Sequence, residues 1–576
     1  MLVYGDQREH AEPDRLVRSI NGELATVAQM PAGLDRHSRL VGALIDTGML
    51  LQGIADAFTT ARRDRRDAAS HPVGNALVAL GRAVCRSWDS GFEELKPLPR
   101  LGTQSDWPDR VEIRIPEGYA FYAVYPEAYL EAARRLSLTA VPRVIGIRSI
   151  GTSLAAIVAA ALGAPPPITA RPFGDPFDRS IDLDERLDGD AHYVIVDEGP
   201  GQSGSSFGAV ADWLLDRGVP LDRIALLPSH AGPPGAEASD RRRQLWRQVQ
   251  LQVGDFGERW PELIASWCGA AVGVLDQAPE DIAGGGWRRL HWRSEGEWPA
   301  VVPAWERRKF LLRSGGEAFV AKFAGLGRIG EEKLAIAGTL RCEGLVPEPI
   351  ALAHGFLVER WYEDATPLEP SEQPLGEIGR YIGMRARLLP AVSGSGASVA
   401  ELLRMARRNV SLEFGDAATH ALEPWERRAE QFERRIVRVR TDNKLDRHEW
   451  LRTPSGALIK TDALDHHQSH DLIGCQDIAW DAAGALVEFD VAPEQTAGLI
   501  GAIEHWSGSE IDRQLLALYR LCYLAFRLGH ARLGATMIGD PAERARIVRR
   551  GDRYAAELQL LLESSGAATR PKSSVG

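Results

Sequence analysis

The stretch Tyr193–Phe207, YVIVDEGPGQSGSSF, decides the fold class of the first half of the chain. It opens with the apolar, β-branched run 193–196, which is typical of a buried parallel strand. Asp197 and Glu198 come next, and a loop of mostly small residues, 199–206, leads into the apolar-periodic segment FGAVADWLLDRG. The order strand, acidic pair, Gly/Ser loop and helix predicts an α/β domain built on a parallel sheet.

The loop of this unit predicts an anion site. Backbone N–H groups at the start of the following helix point outward without helical partners and carry the positive end of the helix dipole. Ser203, Ser205 and Ser206 add hydroxyl donors around Gly204. The two carboxylates that precede the loop are placed to hold sugar hydroxyls. The unit therefore predicts a sugar-phosphate site, and the alternative is an ordinary strand–turn–helix of an α/β domain.

In these residues the stretch resembles the diphosphoribosyl motif of the type I phosphoribosyltransferase family. Asp197-Glu198 match the acidic pair of that motif and 203–206 match its phosphate loop, although the spacer 199–202 is one residue longer than the usual form. The resemblance implies a domain that binds phosphoribosyl diphosphate (PRPP) with Mg²⁺ and a base-like acceptor. It also implies that the acidic pair is catalytic and holds the ribose as positive charge develops at the anomeric carbon.

A second strand–loop–helix unit lies upstream of the first. The apolar run RVIGI is followed by Arg148–Ser153, RSIGTS, and then by the helix pattern LAAIVAAALGA. In the phosphoribosyltransferase family a loop at this position binds the pyrophosphate of PRPP through backbone amides, and RSIGTS resembles it. The resemblance implies that Ser149, Gly151 and Thr152 bind pyrophosphate and that Arg148 adds positive charge. Taken alone, the loop is equally well explained as a turn.

The segment between the two units, ITARPFGDPFDRSIDL, is a Pro- and Gly-rich turn flanked by Arg171 and Arg179. It is expected either to fold over an anionic ligand as a hood or to be a surface loop with solvated arginines. Further on, the strand pattern DRIALLPSHAG ends in Ser229-His230. Polar residues at the carboxyl ends of strands face the ligand crevice of open α/β sheets, so His230 contacts an acceptor base or only caps a loop.

Length and composition place the chain among multidomain globular proteins. At 576 residues it is too long for one hydrophobic core. Its net charge of −11 argues against a broad nucleic-acid-binding surface. Five scattered cysteines without a CxxC pair predict reduced thiols rather than disulfides or a zinc site. With no basic-then-apolar leader and no uncharged apolar run of membrane length, a cytoplasmic location is expected.

Changes of pattern along the chain predict six segments. These are a helical N-terminal region at 1–110, the parallel-sheet domain at 111–278, a tryptophan-rich junction at 279–308, the two lobes of a second module at 309–365 and 366–560, and a disordered tail at 561–576. The N-terminal region is expected to cover the sheet domain or to form a dimer surface. The junction holds four of the 15 tryptophans, which either stack on a base or sugar or, in the preferred interpretation, pack between domains.

The second module opens with KFLLRSGGEAFVAKF, two strand patterns joined by a Ser-Gly-Gly turn. Lys322 is the only charge in the apolar run of the second strand, and the helix pattern RIGEEKLAIAGTL and two more strands follow. This order resembles the N-lobe of protein-kinase-like enzymes, in particular the aminoglycoside phosphotransferase group. The resemblance implies a bilobal α+β module that uses ATP, with Lys322 on the nucleotide phosphates, Glu331 or Glu332 paired with that lysine, and Glu359 in the hinge beside adenine. The alternative is a small α+β domain with a solvated lysine.

The helical lobe carries the candidates for metal binding and catalysis. Asp462 follows the strand ALIKT and matches the metal-binding aspartate of the phosphotransferase group, while Asp442 lies near the place of the catalytic residue. The loop departs from the pattern of the group because the fifth residue after Asp442 is arginine rather than asparagine. An alternative alignment on the strand that follows puts Lys444 and Glu449 at the two catalytic-loop positions, which leaves catalytic competence open.

Two functions are consistent with these patterns. The first is a bifunctional enzyme in which a PRPP-dependent phosphoribosyltransferase is joined to an ATP-dependent kinase-like module acting on a small nucleoside- or nucleotide-like molecule. The second is a regulatory protein that senses nucleotides or PRPP through a catalytically inactive kinase-like domain. Both predict small-molecule partners and neither a membrane nor a nucleic acid. The acceptor, the pathway and the oligomeric state, a homodimer included, are not readable in the sequence.

Overall fold

The N-terminal region of the computed structural model is helical, as the sequence predicts. The structure describes residues 1–5, 8–59, 71–391 and 394–567. The first elements are β1 (Arg8–Ala11), α1 (Pro13–Gln29), α2 (Leu34–Ala57) and α3 (His71–Asp89). By length and composition α2 is apolar enough to cross a membrane, but 78% of its apolar window is buried inside the structure, as in a core helix of a globular protein.

A five-stranded parallel sheet is the centre of the next block. Its strand order is β4-β3-β7-β8-β9, and every neighbouring pair is parallel. The predicted α/β fold with a parallel sheet is therefore confirmed. The elements of the block are β2 (Val111–Arg114), α4 (Glu117–Ala120), α5 (Pro126–Arg134), β3 (Arg143–Ile147), α6 (Gly151–Leu162), β4 (Ile168–Ala170), β5 (Phe173–Asp175), β6 (Asp178–Ser180), β7 (Tyr193–Val196), α7 (Ser205–Leu215), β8 (Ile224–Leu227), α8 (Asp240–Gln248), β9 (Gln250–Leu251) and α9 (Trp260–Val272).

The chain changes direction across this sheet at β3. It leaves β3 through α6 to reach β4 on one side, and it later enters β7 on the other side of β3. The helices α6 and α7 begin shortly after β3 and β7, so their N-termini lie at the carboxyl ends of two adjacent strands. A crevice at such a switch point is where open α/β sheets bind ligands.

The aromatic segment GYAFYAVYPEAYLEAARRL has the pattern of a single helix, but the structure divides it into α4 and α5. Ala123, between them, has φ 52°, which belongs to the left-handed region rather than to an α-helix. Pro126 opens α5 because it lacks the N–H that an interior helical position would require. The turn between the two helices brings the 117–122 segment close to both halves of the chain.

A five-stranded antiparallel sheet opens the second module, in the order β10-β11-β12-β14-β13. The predicted hairpin is confirmed, with Gly315 and Gly316 at φ 59° and 80° in its two-residue turn, where residues with a Cβ are strained. The elements are β10 (Glu280–Asp281), α10 (Arg288–His291), β11 (Lys309–Ser314), β12 (Glu317–Phe323), α11 (Arg328–Cys342), β13 (Pro349–Ala353) and β14 (Phe356–Arg360).

The second lobe is mainly helical. Its last helix continues to Ala567, so residues 561–567 are helical and not part of a disordered tail, while 568–576 lie outside the described residues. The elements are β15 (Thr366–Pro367), α12 (Leu375–Leu388), α13 (Val399–Phe414), α14 (Glu423–Glu426), α15 (Ala429–Glu433), β16 (Arg438–Val439), β17 (Trp450–Arg452), β18 (Leu458–Lys460), β19 (Gln476–Asp477), α16 (Ile478–Glu488), α17 (Pro493–Ser507), α18 (Arg513–Met537) and α19 (Pro541–Ala567).

Two large hydrophobic cores hold the chain together. The first runs from Val17 to Val358 and joins the N-terminal helices, one face of the parallel sheet and the antiparallel sheet. In it, the Trp267 ring lies 5.4 Å from Tyr125 and 6.4 Å from Phe356. The second core joins α11 to the helices of the second lobe. The predicted boundary at 278 therefore falls in a connection between elements, not in a gap between cores.

Candidate functional site

A cleft lies between the antiparallel sheet and the helical lobe. Three residues predicted to bind nucleotide or metal, Lys322, Glu359 and Asp462, line it together. The empty space, its open mouth included, is about 800 Å³, which is within the range of small-molecule sites. The other lining residues are Trp287, His291, Trp292, Glu306, Lys309, Val320, Pro347, Arg360, Trp361, Tyr362, His448, Glu449, Leu451 and Thr461.

Lys322 and Asp462 form an ion pair in this cleft. Lys322 belongs to β12 and Asp462 follows β18, and the lysine Nζ contacts the Oδ1 of the carboxylate. Burial opposes the charge of Lys322, but the carboxylates of Asp462 and Asp465 outweigh it and raise its pKa. Burial likewise opposes the charge of Asp462, yet Lys322 and His466 hold its pKa well below the usual range. Both members of the pair are therefore charged at neutral pH.

A second carboxylate, Glu449, lies close to Asp462. It directly precedes β17, and Lys460 Nζ donates to its Oε2 at 2.6 Å. Burial raises the pKa of Glu449 to about 8, against the opposing effect of Lys460. One possible ligand atom from each of Glu449, Asp462 and His466 lies within 4.8 Å of the other two. Two carboxylates at this separation, completed by phosphate oxygens, fit the oxygen coordination that Mg²⁺ prefers.

Asp442, predicted to be catalytic, does not line the cleft. Its side chain has no exposed surface and accepts a hydrogen bond from the Tyr381 hydroxyl. His466 Nδ1 lies 3.1 Å from its Oδ1, and Lys460 Nζ lies 3.4 Å from its Oδ2. In this structure the carboxylate contacts His466 and Lys460 and does not reach the cleft wall, and a catalytic role for Asp442 stays a prediction.

Two buried aspartates of the helical lobe, Asp471 and Asp481, hold the loop around Asp442. The backbone N–H of Asp442 donates to the carboxylate of Asp481 in α16 at 2.8 Å, which fixes the start of the loop. Lys444 Nζ lies 2.6 Å from Asp471. Glu449 then lines the cleft directly before the β17–β18 hairpin that leads to the metal-binding candidate. The assignment of the two catalytic-loop positions to Lys444 and Glu449 stays a prediction.

Glu332, predicted to pair with Lys322, contacts other residues. Its Oε1 lies 2.7 Å from Arg440, while Glu331 lies 3.8 Å from Arg39 of the N-terminal region. The expected pair of helix glutamate and strand lysine is therefore not formed in the described part of the chain. Consecutive residues of α11 point in different directions, and these two glutamates face partners on either side of the module.

The buried charged side chain of α11 is that of Lys333 instead. Its Nζ lies 3.5 Å from Asp465, and Arg307 Nε lies 3.1 Å from the same carboxylate. Burial lowers the pKa of Lys333 to about 8 although Asp465 acts to raise it. A carboxylate held by two cations behind the cleft thus takes the place of the expected glutamate.

Aromatic side chains from the tryptophan-rich junction form part of the cleft wall. Trp287 and Trp292 both line it, with ring centroids 5.7 Å apart, and Trp361 and Tyr362 continue the wall after β14. The other two junction tryptophans pack elsewhere, so the packing interpretation holds for only part of the junction. Stacking on a base or sugar was one of the two interpretations of the junction tryptophans, whereas Trp361 and Tyr362 were not predicted. The density of tryptophan was the one available signal for the junction residues.

The second candidate site lies at the carboxyl edge of the parallel sheet. Asp197 and Glu198 follow β7 there and are half-buried. Tyr129 donates to the backbone carbonyl of Asp197 at 2.8 Å, and the Gly118 backbone donates to the Glu198 carboxylate. Burial raises the pKa of Asp197 to about 7, and burial together with Glu117 and Asp197 raises the pKa of Glu198 to about 8. The pair therefore binds protons near neutral pH.

The hairpin β5–β6 covers the serine loop, in the manner of the predicted hood. The Ser203 and Ser205 hydroxyls donate to the Pro176 carbonyl at 3.3 and 2.8 Å. Arg179 Nη1 donates to the Ser206 hydroxyl at 3.0 Å. The serine hydroxyls that were predicted to bind phosphate thus hold the hairpin in this structure, and a phosphate would have to replace those contacts.

Two arginines predicted to bind phosphate share one carboxylate of the N-terminal region. Arg148 Nε lies 3.0 Å from Asp56 Oδ1, and Arg171 Nε donates to the same oxygen at 2.9 Å. The Arg148 side chain is buried and also donates to the Thr169 hydroxyl at 3.0 Å. Burial acts to raise the pKa of Asp56, but Arg171 and Arg148 lower it. Arg148 therefore holds α2 on the sheet, and its contact with pyrophosphate stays a prediction.

Three members of the predicted pyrophosphate loop remain: Ser149 lies between β3 and α6, and Gly151 and Thr152 are the first two residues of α6. A Cβ on Gly151 would come within 2.5 Å of the Val196 carbonyl in β7, so only glycine permits this approach. Thr152 is buried, and its hydroxyl has no hydrogen-bond partner in the described ranges. Gly204, at φ 65°, directly precedes α7, the helix that follows the neighbouring strand β7. The two loops singled out in the sequence are thus adjacent.

Comparison with known proteins finds similarity to solved structures. No family model matches it, and no curated protein matches it. Among solved structures, the choline kinase of Streptococcus pneumoniae is 14% identical with a TM-score of 0.34 and covers 43% of this chain and 89% of its own. A spectinomycin phosphotransferase with bound ADP and spectinomycin is 11% identical with a TM-score of 0.33, covering 53% of this chain and 98% of its own.

A microcompartment-associated aminopropanol kinase is 14% identical to this chain with a TM-score of 0.34, and covers 53% of this chain and 98% of its own. These matches extend over about half of the chain. At such identities and TM-scores they assign neither a family nor a substrate to this chain.

Proposed function

We propose that the cleft binds a magnesium–nucleotide complex, with ATP as the ligand, and that the second module is a phosphotransferase acting on a small molecule. The contact of Lys322 with Asp462 on the cleft wall carries this proposal. An ammonium group for phosphate oxygens beside a carboxylate for a metal ion is the combination on which phosphoryl-transfer sites rely. The charged state of both groups at neutral pH supports the same assignment.

Six of the lining residues have a role in this proposal. Lys322 would hold the nucleotide phosphates, and Asp462 and Glu449 would hold Mg²⁺. The ion, when bound, neutralises phosphate charge. Trp287 and Trp361 offer flat apolar faces to the base, since base–aromatic stacking does not depend on the identity of the base. Glu359, whose pKa burial raises to about 7 against the effect of Lys322, would lie beside the base at the end of β14.

ADP formation tests this assignment. The full-length protein is incubated with ATP and Mg²⁺ and a panel of hydroxylated and amino-hydroxylated small molecules, nucleosides included. We expect acceptor-dependent ADP release that Asp462→Asn abolishes. Tight ATP binding without turnover on any acceptor would instead support the sensing function, which the lysine at position 444 favours. Absence of both binding and turnover would reject a nucleotide site in the cleft.

A second function is favoured by a separate observation. Two strand–loop–helix units open at adjacent strands, β3 and β7, where the chain changes direction across the parallel sheet. We infer that this edge binds a sugar phosphate, with PRPP as the ligand. Asp197 and Glu198 would hold the ribose hydroxyls, the run 203–206 the 5′-phosphate, and the run 148–152 the pyrophosphate.

Pyrophosphate release measures this second function. The full-length protein is supplied with PRPP, Mg²⁺ and a panel of bases. We expect base-dependent pyrophosphate that Asp197→Asn with Glu198→Gln removes, since the developing positive charge of the sugar would lose its counter-charge. Equal pyrophosphate release by the variant, or no PRPP binding by the wild type, would reject the assignment.

A further inference from the structure

Three buried side chains from three parts of the chain meet where the N-terminal helices, the sheet domain and the second module join. His37 comes from α2, Glu127 from α5, and His354 from the turn between β13 and β14. None of the three side chains has exposed surface. One possible ligand atom of each lies within 4.8 Å of the other two. This cluster is separate from both sites described above.

The two imidazoles converge on one carboxylate oxygen. His37 Nε2 lies 2.8 Å and His354 Nε2 lies 3.2 Å from Glu127 Oε1. The other carboxylate oxygen, Oε2, is buried and has no hydrogen-bond partner among the residues that the structure describes. The His354 Nε2 also lacks a partner with hydrogen-bond geometry despite its short distance. If the cluster only formed hydrogen bonds, both carboxylate oxygens would be expected to accept one, because a buried oxygen without a hydrogen bond lowers the stability of the fold by about 1–3 kcal/mol.

Hydroxyl groups orient both rings from behind. His37 Nδ1 lies 2.9 Å from the Ser87 hydroxyl, and His354 Nδ1 lies 2.9 Å from the Ser38 hydroxyl. Each histidine therefore presents its Nε2 to Glu127 and has its other nitrogen satisfied. Histidines that bind metal ions are held in the same way, with the second ring nitrogen hydrogen-bonded so that the tautomer and the ring orientation are fixed.

His354 has a backbone conformation that is unusual for histidine, which indicates that its side chain is required at this position. His354 has φ 45°, and Gly355 after it has φ 89°. The first of two consecutive left-handed positions in a hairpin turn favours asparagine, aspartate or glycine. Histidine there is uncommon, and its imidazole is enclosed by aromatic rings, with Trp267 at 4.9 Å and Tyr125 at 5.1 Å. A histidine that served only as a turn residue would face water and would not be surrounded by aromatic rings.

We propose that His37, Glu127 and His354 bind one divalent transition-metal ion of the zinc type, which ties the N-terminal helices and the sheet domain to the second module. Two neutral imidazoles and a carboxylate are a ligand set that zinc uses. Ligand atoms at about 2.0–2.1 Å from a tetrahedral ion lie about 3.3 Å apart, close to the separations in this cluster. The unpartnered Oε2 and the unpaired His354 Nε2 are the atoms that the ion would satisfy.

The charge states of the cluster agree with this function. Metal ligands must be deprotonated when the ion binds. Burial lowers the pKa of His37, and Glu127 acts in the opposite direction. Burial opposes the charge of Glu127, but His354 and His37 lower its pKa and keep it ionised. A dication would offset the buried negative charge of Glu127.

Elemental analysis of the full-length protein tests the proposal. The wild type is expressed in zinc-supplemented medium and dialysed against excess Mg²⁺. We expect about one zinc ion per chain, retained through dialysis because enclosed ligands exchange slowly. Its unfolding temperature should fall when a strong chelator removes the ion, since an ion that binds only the folded state stabilises it. A chain without bound zinc, or with an unfolding temperature that does not respond to the chelator, would overturn the proposal.

Two variants and a control assign the ion to the cluster. His354→Asn preserves the turn, because asparagine accepts a positive φ, and removes the imidazole ligand. His37→Gln removes the other one. Each should lower zinc affinity at least about a hundredfold and abolish the response of the unfolding temperature to the chelator. His420→Asn, a change of an exposed histidine, should leave both unchanged. Wild-type zinc content in both ligand variants would refute the site.

Two further measurements keep the proposal testable if a ligand variant does not fold. Wild-type protein expressed with cobalt should show the visible absorption of Co²⁺ bound by nitrogen and oxygen, and a spectrum of hydrated Co²⁺ would contradict the site. The Asp462→Asn variant separates this cluster from the cleft. It should keep its zinc, and loss of the ion there would move the site to the cleft and overturn the proposal.

Discussion

Ionisation of Asp197 and Glu198 at the edge of the parallel sheet lowers the stability of the folded protein, because both carboxyl groups are buried. Burial raises the pKa of Asp197 to about 7 and that of Glu198 to about 8. Both values lie above those of the unfolded chain, about 3.9 and 4.3. The stability that the protonated groups contribute is therefore fully present below the unfolded pKa values and is lost as the pH rises through the folded ones.

We predict that Asp197→Asn with Glu198→Gln makes the protein more stable at alkaline pH. Neutral amides avoid the cost of two buried charges, so at about pH 9 the variant should be more stable by roughly 2 kcal/mol, with a much smaller difference at about pH 5. Thermal unfolding at the two pH values measures this. Asp190→Asn, a change of a fully exposed carboxylate, should show no such pH dependence. A parallel pH profile for wild type and double variant would contradict the burial of the pair.

Trp287 tests the aromatic wall of the cleft. If the base stacks on this wall, Trp287→Ala should weaken Mg²⁺–ATP binding by about 1–3 kcal/mol, or roughly 5- to 150-fold. Trp298→Ala removes a junction tryptophan that packs against Arg288 and does not line the cleft, so it should leave affinity unchanged. Equilibrium binding of Mg²⁺–ATP to the two variants measures both affinities. Equal losses in both would mean that the junction acts through stability alone.

At the residue scale, the sequence predicted the cleft groups that lie on strands or directly after them. Lys322 and Glu359 lie on the paired strands β12 and β14, and Asp462 follows β18 in a separate sheet that faces them across the cleft. Glu332 could not be placed, since the pattern of α11 shows that it is a helix but not which acid faces inward. Asp442 could not be placed either, because its burial depends on partners far away in the sequence, such as Tyr381.

At the scale of elements, the close contact of α6 with the parallel sheet sets the geometry of the sheet edge. A Cβ on Gly146 in β3 would lie 2.1 Å from the Gly151 carbonyl, and one on Gly151 would lie 2.5 Å from the Val196 carbonyl. These are backbone atoms, which have no alternative rotamer to adopt. The N-terminus of α6 is therefore fixed against both strands of the switch point.

Gly151→Ala should accordingly destabilise the sheet domain. The new methyl group would force α6 away from β7, at a cost of about 2–4 kcal/mol, which is typical of overpacking in a tight core. Chemical denaturation gives the free energy of unfolding. Gly189→Ala, where an added Cβ meets no atom within 4 Å, is the matched control and should change it little. Wild-type stability in Gly151→Ala would mean that the loop and helix are not held as described.

Elements with strong local signals could be predicted, and those set by long-range packing could not. The hairpin β11–β12 was predicted because its Ser-Gly-Gly turn supplies two residues at positive φ. The break between α4 and α5 was missed, although Pro126 was a visible signal, because the aromatic periodicity continues across it. The hood β5–β6 was predicted as one of two alternatives, since its position over the serine loop depends on contacts such as Arg179 with Ser206.

At the scale of the whole molecule, the two halves are joined by shared packing. One hydrophobic core includes residues from both sides of the predicted boundary at 278. The N-terminal end adds a second connection, because Leu2 N–H donates to Asn409 in the helical lobe at 2.7 Å. The order of the domains was readable in the sequence, but this joint core was not, since periodicity shows which face is apolar and not what covers it.

We therefore expect that residues 1–278 do not fold as an independent unit. Without the second module, the aromatic cluster around Tyr125 and Trp267 would lose Phe356 and other partners. Near-ultraviolet circular dichroism of the fragment should lack the aromatic signal that this packing gives to the full chain. A fragment with an ordered aromatic spectrum and cooperative unfolding would show that the halves are separate domains.

Calorimetric titration of the full-length protein with ATP, with and without Mg²⁺, is the most direct test of the nucleotide site. We predict Mg²⁺-dependent binding that Lys322→Met weakens at least about tenfold, because a charge-assisted contact to phosphate is lost. The exposed Lys96→Met variant should bind as the wild type does. Wild-type protein that binds no ATP in the presence of Mg²⁺, or Lys322→Met protein with unchanged affinity, would contradict the nucleotide site.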